Sequence, residues 1–245
     1  MALWDKPLWQ AALFVLACSR LPESAAPTGG LVDPSNVDLS NSIRYRALTR
    51  ADFQGASVPE AFAKVADRVG AATCGNVLTT PDTQLQIVRE QSENGESLFR
   101  VSVKKLRFYA LMDRNCSWWN DKQSAVPPDY VLEHEQIHFA LYELGARQLN
   151  ASVGRIADDV QTEGSTLDEV RQHADEILRR AVMGALEVIL ERNRAFDEDT
   201  SLGYKPDRQK AWLLRVEQEL ASTQLLARSA EPFELDQPRA QRLPW

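Results

Sequence analysis

One segment near the middle of the chain, residues 131–143, restricts the possible folds more than any other. It contains His134, Glu135 and His138, so that two imidazoles stand four residues apart with a carboxylate directly after the first. Residues four apart on an α-helix lie one above the other, and both imidazoles can therefore reach one metal ion. Glu135 is rotated about 100° from His134, which places its carboxylate beside that ion. The spacing predicts a helix with a metal site on one face.

The residues around this motif also favour a helix. Pro127 and Pro128 suit the approach to a helix, and Asp129 is a candidate N-cap. Apolar residues that a core could bury are Val131, Leu132, Ile137, Phe139, Leu141, Leu144 and Leu149. We expect this helix to continue to about Val153 and the polar stretch 161–167 to break it. The alternative is a core helix that carries two histidines by chance, but the chain has only 3 histidines, which favours the metal site.

The pattern H-E-x-x-H is typical of zinc metalloproteases. Two neutral imidazole nitrogens suit Zn²⁺, and a third protein ligand would leave one coordination position open for water or substrate. On this interpretation His134 and His138 are metal ligands and Glu135 is the catalytic general base. Glu135 takes a proton from a zinc-activated water and returns it to the leaving amine. The expected cofactor is Zn²⁺ and the expected partner is a peptide or protein substrate.

Composition restricts the class of protein further. The chain of 245 residues is long enough for one domain with appendages, and its 44% hydrophobic and 26% charged residues are ordinary for a globular protein. Its net charge is −7 and it has no notable basic cluster. We therefore do not expect nucleic acid as a partner, because phosphate binding needs concentrated lysine and arginine.

The first 18 residues resemble an export signal. The apolar run from Pro7 to Cys18 has the length of a signal-peptide core and is too short to span a bilayer. Residues 15–18 resemble a bacterial lipobox, in which Cys18 would be lipidated and hold the chain at the membrane. Cleavage near residues 24–26 and a buried or amphipathic N-terminal helix are the alternatives. We expect a bacterial envelope protein that is periplasmic, lipid-anchored or secreted.

The cysteines agree with export. If Cys18 is lipidated or removed, Cys74 and Cys116 remain as an even pair. They could form a disulfide in an oxidising compartment, and a buried pair of free thiols is the alternative.

The remaining patterns divide the chain into a tether at 19–42, one domain at 43–228 and an extended tail at 229–245. Within the domain, strands are predicted at 43–48, 83–90 and 97–109, with a turn at 93–96 joining the last two into a hairpin; a capped turn at Thr49 to Asp52 and a short helix or loop at 59–70 lie between the first and second strands. We expect the hairpin to bind a peptide by strand addition.

Two further helices are predicted after the motif helix, at 167–195 and 208–227, with a loop at 196–203 between them. The predicted class is α+β, with a small antiparallel sheet packed on the motif helix and two long helices after it.

Several segments together resemble a bacterial family, the domain of unknown function 922, whose members are described as candidate secreted zinc-dependent proteases. The matching segments are residues 48–55, Ser117-Trp118, residues 132–139 with Glu143, residues 196–200 with Gly203, and Gln209 with Trp212. They cover about residues 43–220. The resemblance implies a zincin-like fold and zinc-dependent peptidase activity.

One departure from the family concerns the third zinc ligand. The family's late motif is roughly Tyr-Asp-x-x-Thr-x-His-Gly, and its histidine is implied as that ligand. This chain has Leu202 at the histidine position and Phe196 at the tyrosine position. The sequence leaves four candidates for the third ligand, which are Glu143, His173, Asp197 and Asp199.

The missing histidine also supports a second hypothesis, a catalytically inactive zincin-like envelope protein with a binding or structural role. A cytosolic helical protein that carries the motif by accident is a third hypothesis.

Overall fold

The computed structural model describes residues 39–91, 94–122 and 125–224. This part of the chain has a mixed α+β fold, with four α-helices and small antiparallel sheets. The predicted export signal, the tether up to residue 38 and the predicted tail lie outside the described residues. No helix in the described part is long and apolar enough to span a lipid bilayer.

The strands form three antiparallel groups. The strands are β1 Ser42–Arg44, β2 Ala71–Ala72, β3 Gly75–Thr79, β4 Gln84–Gln91, β5 Ser97–Lys105, β6 Phe108–Asp113, β7 Trp118–Trp119 and β8 Thr162–Gly164. Their orders are β1-β6-β3, β2-β7 and β4-β5-β8. The predicted strand at 83–90 and the hairpin that it forms with the next strand are confirmed.

Two strand predictions are wrong in extent. The expected strand 97–109 is two strands in different sheets, because Leu106 turns into the core and Asn150 fixes a new start at Phe108. The Asn150 side chain accepts from the backbone N–H of Phe108 at 2.9 Å and donates to its C=O at 2.8 Å. The expected strand 43–48 ends at Arg44, because Tyr45 leaves the sheet and packs edge-on against Phe139.

The helices are α1 Pro128–Ala151, α2 Val153–Val160, α3 Leu167–Thr200 and α4 Pro206–Ser222, and 3₁₀-helices cover Leu39–Asn41, Arg50–Asp52 and Glu60–Val65. The motif helix ends at Ala151, just before the predicted limit, and a separate short helix follows. Asp129 is not its N-cap: Pro127 holds that position, Pro128 is the first helical residue, where the fixed backbone of proline is favoured, and Asp129 lies in the first turn. The turn expected at Thr49 is present, with Asp52 accepting from the Thr49 N–H at 2.8 Å.

The loop expected at 196–203 is wrong for its first five residues, because α3 continues to Thr200. Asn193, Phe196, Asp197 and Thr200 are all buried, and this spacing places them on one face of the helix. That face packs against α1, so burial extends the helix where the polar sequence predicts a loop.

α1 lies at the centre of the fold, where it contacts the strands β3 and β6 and the helices α3 and α4. Its residues Ile137 and Phe139 are fully buried, and each such side chain contributes roughly 1.5–3 kcal/mol to folding. Cys74 and Cys116 form a disulfide with Cα atoms 5.8 Å apart, which links the approach to β3 with the end of β6. Strands and helices thus both pack against the motif helix.

Candidate metal centre

Three buried side chains from two helices meet at one point. His134 and His138 come from α1, Asp197 comes from α3, and each is at most 7% exposed. Asp197 Oδ1 lies 3.2 Å from His134 Nε2 and 3.1 Å from His138 Nε2. The two Nε2 atoms are 3.1 Å apart. Three potential ligand atoms therefore form a nearly equilateral triangle.

The size of this triangle fits a metal ion. A tetrahedral Zn²⁺ with ligands at roughly 2.0–2.1 Å separates neighbouring ligand atoms by about 3.3 Å. The observed separations are 3.1–3.2 Å. His134, His138 and Asp197 form a group that could bind a metal ion.

Outer hydrogen bonds fix the orientation of both imidazoles. His138 Nδ1 lies 2.5 Å from Asn193 Oδ1, and the amide nitrogen of Asn193 donates to the backbone O of Ile189 at 2.8 Å. Because the amide nitrogen of Asn193 donates to Ile189, its amide oxygen faces the imidazole of His138. His138 therefore carries a proton on Nδ1 and presents Nε2 to the cluster.

The second imidazole is held in the same way from α4. His134 Nδ1 lies 3.0 Å from Gln209 Oε1. The amide nitrogen of Gln209 donates to the backbone O of Tyr130 at 3.1 Å and to the Glu133 carboxylate at 2.9 Å. The Nδ1 proton of His134 is thus committed to Gln209, and its Nε2 lone pair faces Asp197.

Two nitrogen lone pairs and a carboxylate in close contact require a positive charge between them. Burial lowers the pKa of His138, but Asp197, with help from Glu135 and Asn193, raises it to about 9. Burial also raises the pKa of Asp197, and the nearby His138 and His134 hold it below its ordinary value. Without a metal, a proton at His138 supplies this charge; a divalent ion can replace it.

Glu135 lies beside the cluster and lines a small cavity that adjoins it. It is 3% exposed, and its Oε2 has no hydrogen-bond partner in the described part of the protein. Asp197 Oδ2 is a second carboxylate oxygen in this condition. Leaving buried acceptors unpaired costs about 1–3 kcal/mol each, so these two atoms fit a site built for a ligand.

Phe196 packs on both imidazoles. Its ring stacks on His134 with centroids 4.4 Å apart and meets His138 at an interplanar angle of 70° with centroids 4.9 Å apart. The ring of Phe196 therefore covers the histidine pair.

The other three candidates for the third ligand lie outside the cluster. Glu143 pairs with Arg147 at 2.7 Å, the ring nitrogen Nε2 of His173 lies 3.0 Å from the backbone O of Asp159, and Asp199 accepts from the Trp212 indole at 3.0 Å. Asp199 follows Asp197 by two residues, so it points about 200° away around α3. Of the four candidates, only Asp197 joins the histidines.

Sequence reasoning missed the role of Asn193 and gave Gln209 only as part of the family resemblance. A signal for Asn193 was available, since it stands four residues before Asp197 on a helix face that is otherwise apolar at Leu186 and Ile189. A buried amide on such a face requires a polar partner. Nothing local in α4 distinguishes Gln209 from a surface glutamine.

A cavity of about 30 Å³ adjoins the cluster. Its apolar wall includes Phe62 and Val69, and its extended segment is β2 at Ala71–Ala72. The hairpin of β4 and β5 does not line this cavity and belongs to another sheet. The expectation that this hairpin binds a peptide therefore stays a prediction, and the cavity at the cluster is lined by β2 instead.

The end of α3 brings Leu202 to the cavity. Ser201, Leu202 and Gly203 have φ angles of 52°, 59° and 85°. A side chain at Gly203 would stand 3.3 Å from His134 Nδ1, so the close approach and the left-handed backbone both favour glycine. The left-handed conformation costs Leu202 about 1–2 kcal/mol, and its side chain packs beside Phe62, Val69 and Ala72.

The described residues thus define an α+β protein with a buried His-His-Asp group that could bind a metal ion. No protein-family model, curated protein or solved structure matches the chain. The site itself is therefore the basis for a conclusion about function.

Proposed function

We propose that the protein is a zinc-dependent peptidase of the zincin type, with His134, His138 and Asp197 as zinc ligands and Glu135 as general base. The observation that carries this proposal is the convergence of three acceptor atoms at 3.1–3.2 Å while both Nδ1 protons are committed elsewhere. Two imidazoles and a carboxylate form a ligand set that suits zinc. The motif helix beneath small antiparallel strands agrees with a zincin-like fold and with the family resemblance.

The number of protein ligands favours catalysis over structure. Structural zinc sites are almost always closed by four protein ligands, whereas catalytic sites have three and keep one position for water or substrate. Three side chains converge here, and the cavity adjoins them.

In the proposed reaction a zinc ion supplies Lewis-acid polarisation of the carbonyl and a water of lowered pKa. Glu135 takes the proton of that water as the water oxygen bonds to the carbonyl carbon. The same proton then passes from Glu135 to the amide nitrogen as the C–N bond breaks. Asn193 and Gln209 hold the two imidazoles in place throughout.

The extended segment β2 is the proposed place for the substrate backbone. Among the described residues it pairs with β7 alone, and it lines the cavity. An extended peptide can add a strand to such an edge through main-chain hydrogen bonds. A peptide is larger than a cavity of about 30 Å³, so binding requires the wall that carries Phe62 to move.

The second candidate function is a zinc protein without catalytic activity, which acts by binding or has a structural role. The small cavity and the near-complete burial of all three ligands favour it. This candidate was first suggested by Leu202, which stands where the resembling family has a histidine ligand. That argument carries less weight because Asp197 offers a third ligand. Retention of Glu135 with an unpaired buried oxygen favours the peptidase.

We also propose that the protein acts in the bacterial envelope, with Cys18 as a candidate lipid anchor. The Cys74–Cys116 disulfide supports an oxidising compartment, because such bonds are rare where thiols are kept reduced. Cleavage of the signal or labelling of Cys18 with palmitate during expression tests this proposal; a full-length, unlabelled, soluble protein contradicts it.

Hydrolysis of fluorescently labelled casein tests the peptidase. The zinc-loaded protein is compared with the same protein after chelation and with Glu135→Gln, which keeps the size of the side chain. We expect cleavage only with zinc, and a loss of at least about 10²-fold in the variant while zinc stays bound. Cleavage that survives in Glu135→Gln contradicts the mechanism, and an inert protein that holds zinc supports the second candidate.

A further inference from the structure

Four buried polar atoms around the cavity have no hydrogen-bond partner in the described part of the protein. They belong to four cavity-lining residues: Asp197 Oδ2, Glu135 Oε2, Tyr130 OH and Thr73 Oγ1. The two carboxylate oxygens already have roles in the proposed function, because they accept protons or bind a cation. The two hydroxyl groups have none, and unlike ionised carboxylates they can donate.

Tyr130 shares the helix face of the zinc-ligand candidates. It stands four residues before His134 and eight before His138 on α1. Its backbone is fixed, since its C=O accepts from the side chain of Gln209 at 3.1 Å. Burial and the nearby charge of Glu133 raise the pKa of Tyr130, so the phenol keeps its proton at neutral pH.

Thr73 approaches from the strand side of the cavity. It follows β2 directly and is 2% exposed. The next residue is anchored, because the Cys74 N–H donates to the Ser117 hydroxyl at 3.0 Å and Cys74 is bonded to Cys116. The Thr73 hydroxyl is therefore carried by a rigid piece of backbone.

The remaining wall offers no competing side-chain donor. Apart from the cluster and Glu135, the other described residues that line the cavity are Phe62, Val69, Gly70, Ala71, Ala72, Val126, Val131, Leu202 and Gly203. All of these side chains are apolar or absent. Among the described residues that line this cavity, Tyr130 and Thr73 are thus the two whose side chains carry a neutral hydroxyl donor.

We propose that the hydroxyls of Tyr130 and Thr73 donate hydrogen bonds to the substrate carbonyl oxygen as it becomes an oxyanion. This inference rests on the proposed peptidase function. When the water oxygen bonds to the carbonyl carbon, the C=O π pair moves onto oxygen, and it returns when the C–N bond breaks. Donors held in place in a cavity with a largely apolar wall stabilise that transient charge more than the neutral carbonyl. The site would therefore favour a tetrahedral oxyanion over a planar amide.

The test compares Tyr130→Phe and Thr73→Val, which remove the hydroxyls with little change of shape, with Tyr204→Phe as a matched control. Tyr204 donates to the backbone O of Arg68 and does not line the cavity. Zinc content is measured for each variant, and binding of N-phosphoryl-Leu-Ala, a tetrahedral anion, is measured by calorimetry beside the planar N-acetyl-Leu-Ala. Casein hydrolysis supplies the second readout.

We expect both cavity variants to keep zinc, to bind the phosphoryl dipeptide about 10-fold or more weakly, and to bind the acetyl dipeptide as the wild type does. Hydrolysis should fall about 10²-fold in kcat with little change in KM, since one oxyanion donor is commonly worth 10²–10³. Tyr204→Phe should match the wild type in every readout.

Two results overturn the inference. One is phosphoryl dipeptide binding that is equal in wild type and Tyr130→Phe, including no binding in either. The other is full hydrolysis in both cavity variants while Glu135→Gln is inactive, which leaves the peptidase intact. If hydrolysis is absent from the wild type but the phosphoryl preference still depends on the two hydroxyls, the peptidase fails and the oxyanion site stands.

Discussion

Replacing Asp197 with asparagine tests the choice of third ligand directly. The amide has the shape of the carboxylate, so the packing of this residue, which is 2% exposed, stays the same while the negative charge is lost. Zinc sites with four protein ligands bind with about 10–16 kcal/mol, which is roughly 2.5–4 kcal/mol for each ligand. We therefore expect Asp197→Asn to weaken zinc binding by about 10²–10³-fold.

Asp199→Asn is the matched control for this experiment. It makes the same chemical change two residues away, where the carboxylate accepts from the Trp212 indole at 3.0 Å and not from the cluster. Zinc affinity is measured by competition with a chromophoric chelator, and circular dichroism checks that both variants fold. Wild-type affinity in Asp197→Asn, or an equal loss in both variants, would refute the assignment of the third ligand.

Three further predictions concern the outer shell and the core. Asn193→Leu removes the acceptor for an imidazole at 2.5 Å and should weaken zinc binding about 10–100-fold; unchanged chelator competition would contradict this. Gly75→Ala should lower the free energy of unfolding in urea by about 1–3 kcal/mol, because the new Cβ would lie 2.4 Å from the ring of Tyr142; Gly184→Ala meets nothing within 4 Å on a helix and should raise it by about 0.5–1 kcal/mol. A change of the same sign in the free energy of unfolding of both glycine variants would refute the packing argument. Burial raises the pKa of Asp52, but hydrogen bonds from a neighbouring arginine and threonine hold it below its ordinary value. The stability that this carboxylate contributes is therefore present at neutral pH and lost as the pH falls below about 4, so the difference in unfolding free energy between wild type and Asp52→Asn should shrink on acidification; a constant difference would contradict it.

The sequence predicts well those features that local patterns determine. The spacing of His134 and His138 predicts a helix, and α1 presents both imidazoles on one face. Alternation at 83–90 predicts β4, and the apolar period after residue 167 predicts the start of α3. In each case the helix or strand is determined by residues that lie close together in the sequence.

The features that sequence could not determine depend on how helices cross. Asp197 and Asp199 are the same type of residue and stand two positions apart in the sequence. Only the packing of α3 on α1 turns Asp197 toward the histidines. The polar residues 196–200 predict a loop, although burial against α1 keeps them helical. Gln209 reaches His134 across 75 residues of chain, a separation that no local pattern can bridge.

Zinc K-edge X-ray absorption of the zinc-loaded protein, with zinc content measured beside it, tests the central claim most directly. Ligation by His134, His138 and Asp197 predicts one zinc per chain, two imidazole nitrogens and only oxygen otherwise in the first shell. His134→Ala should lose the bound zinc. A folded protein that takes up no zinc, or a spectrum with sulfur ligands, would contradict the account.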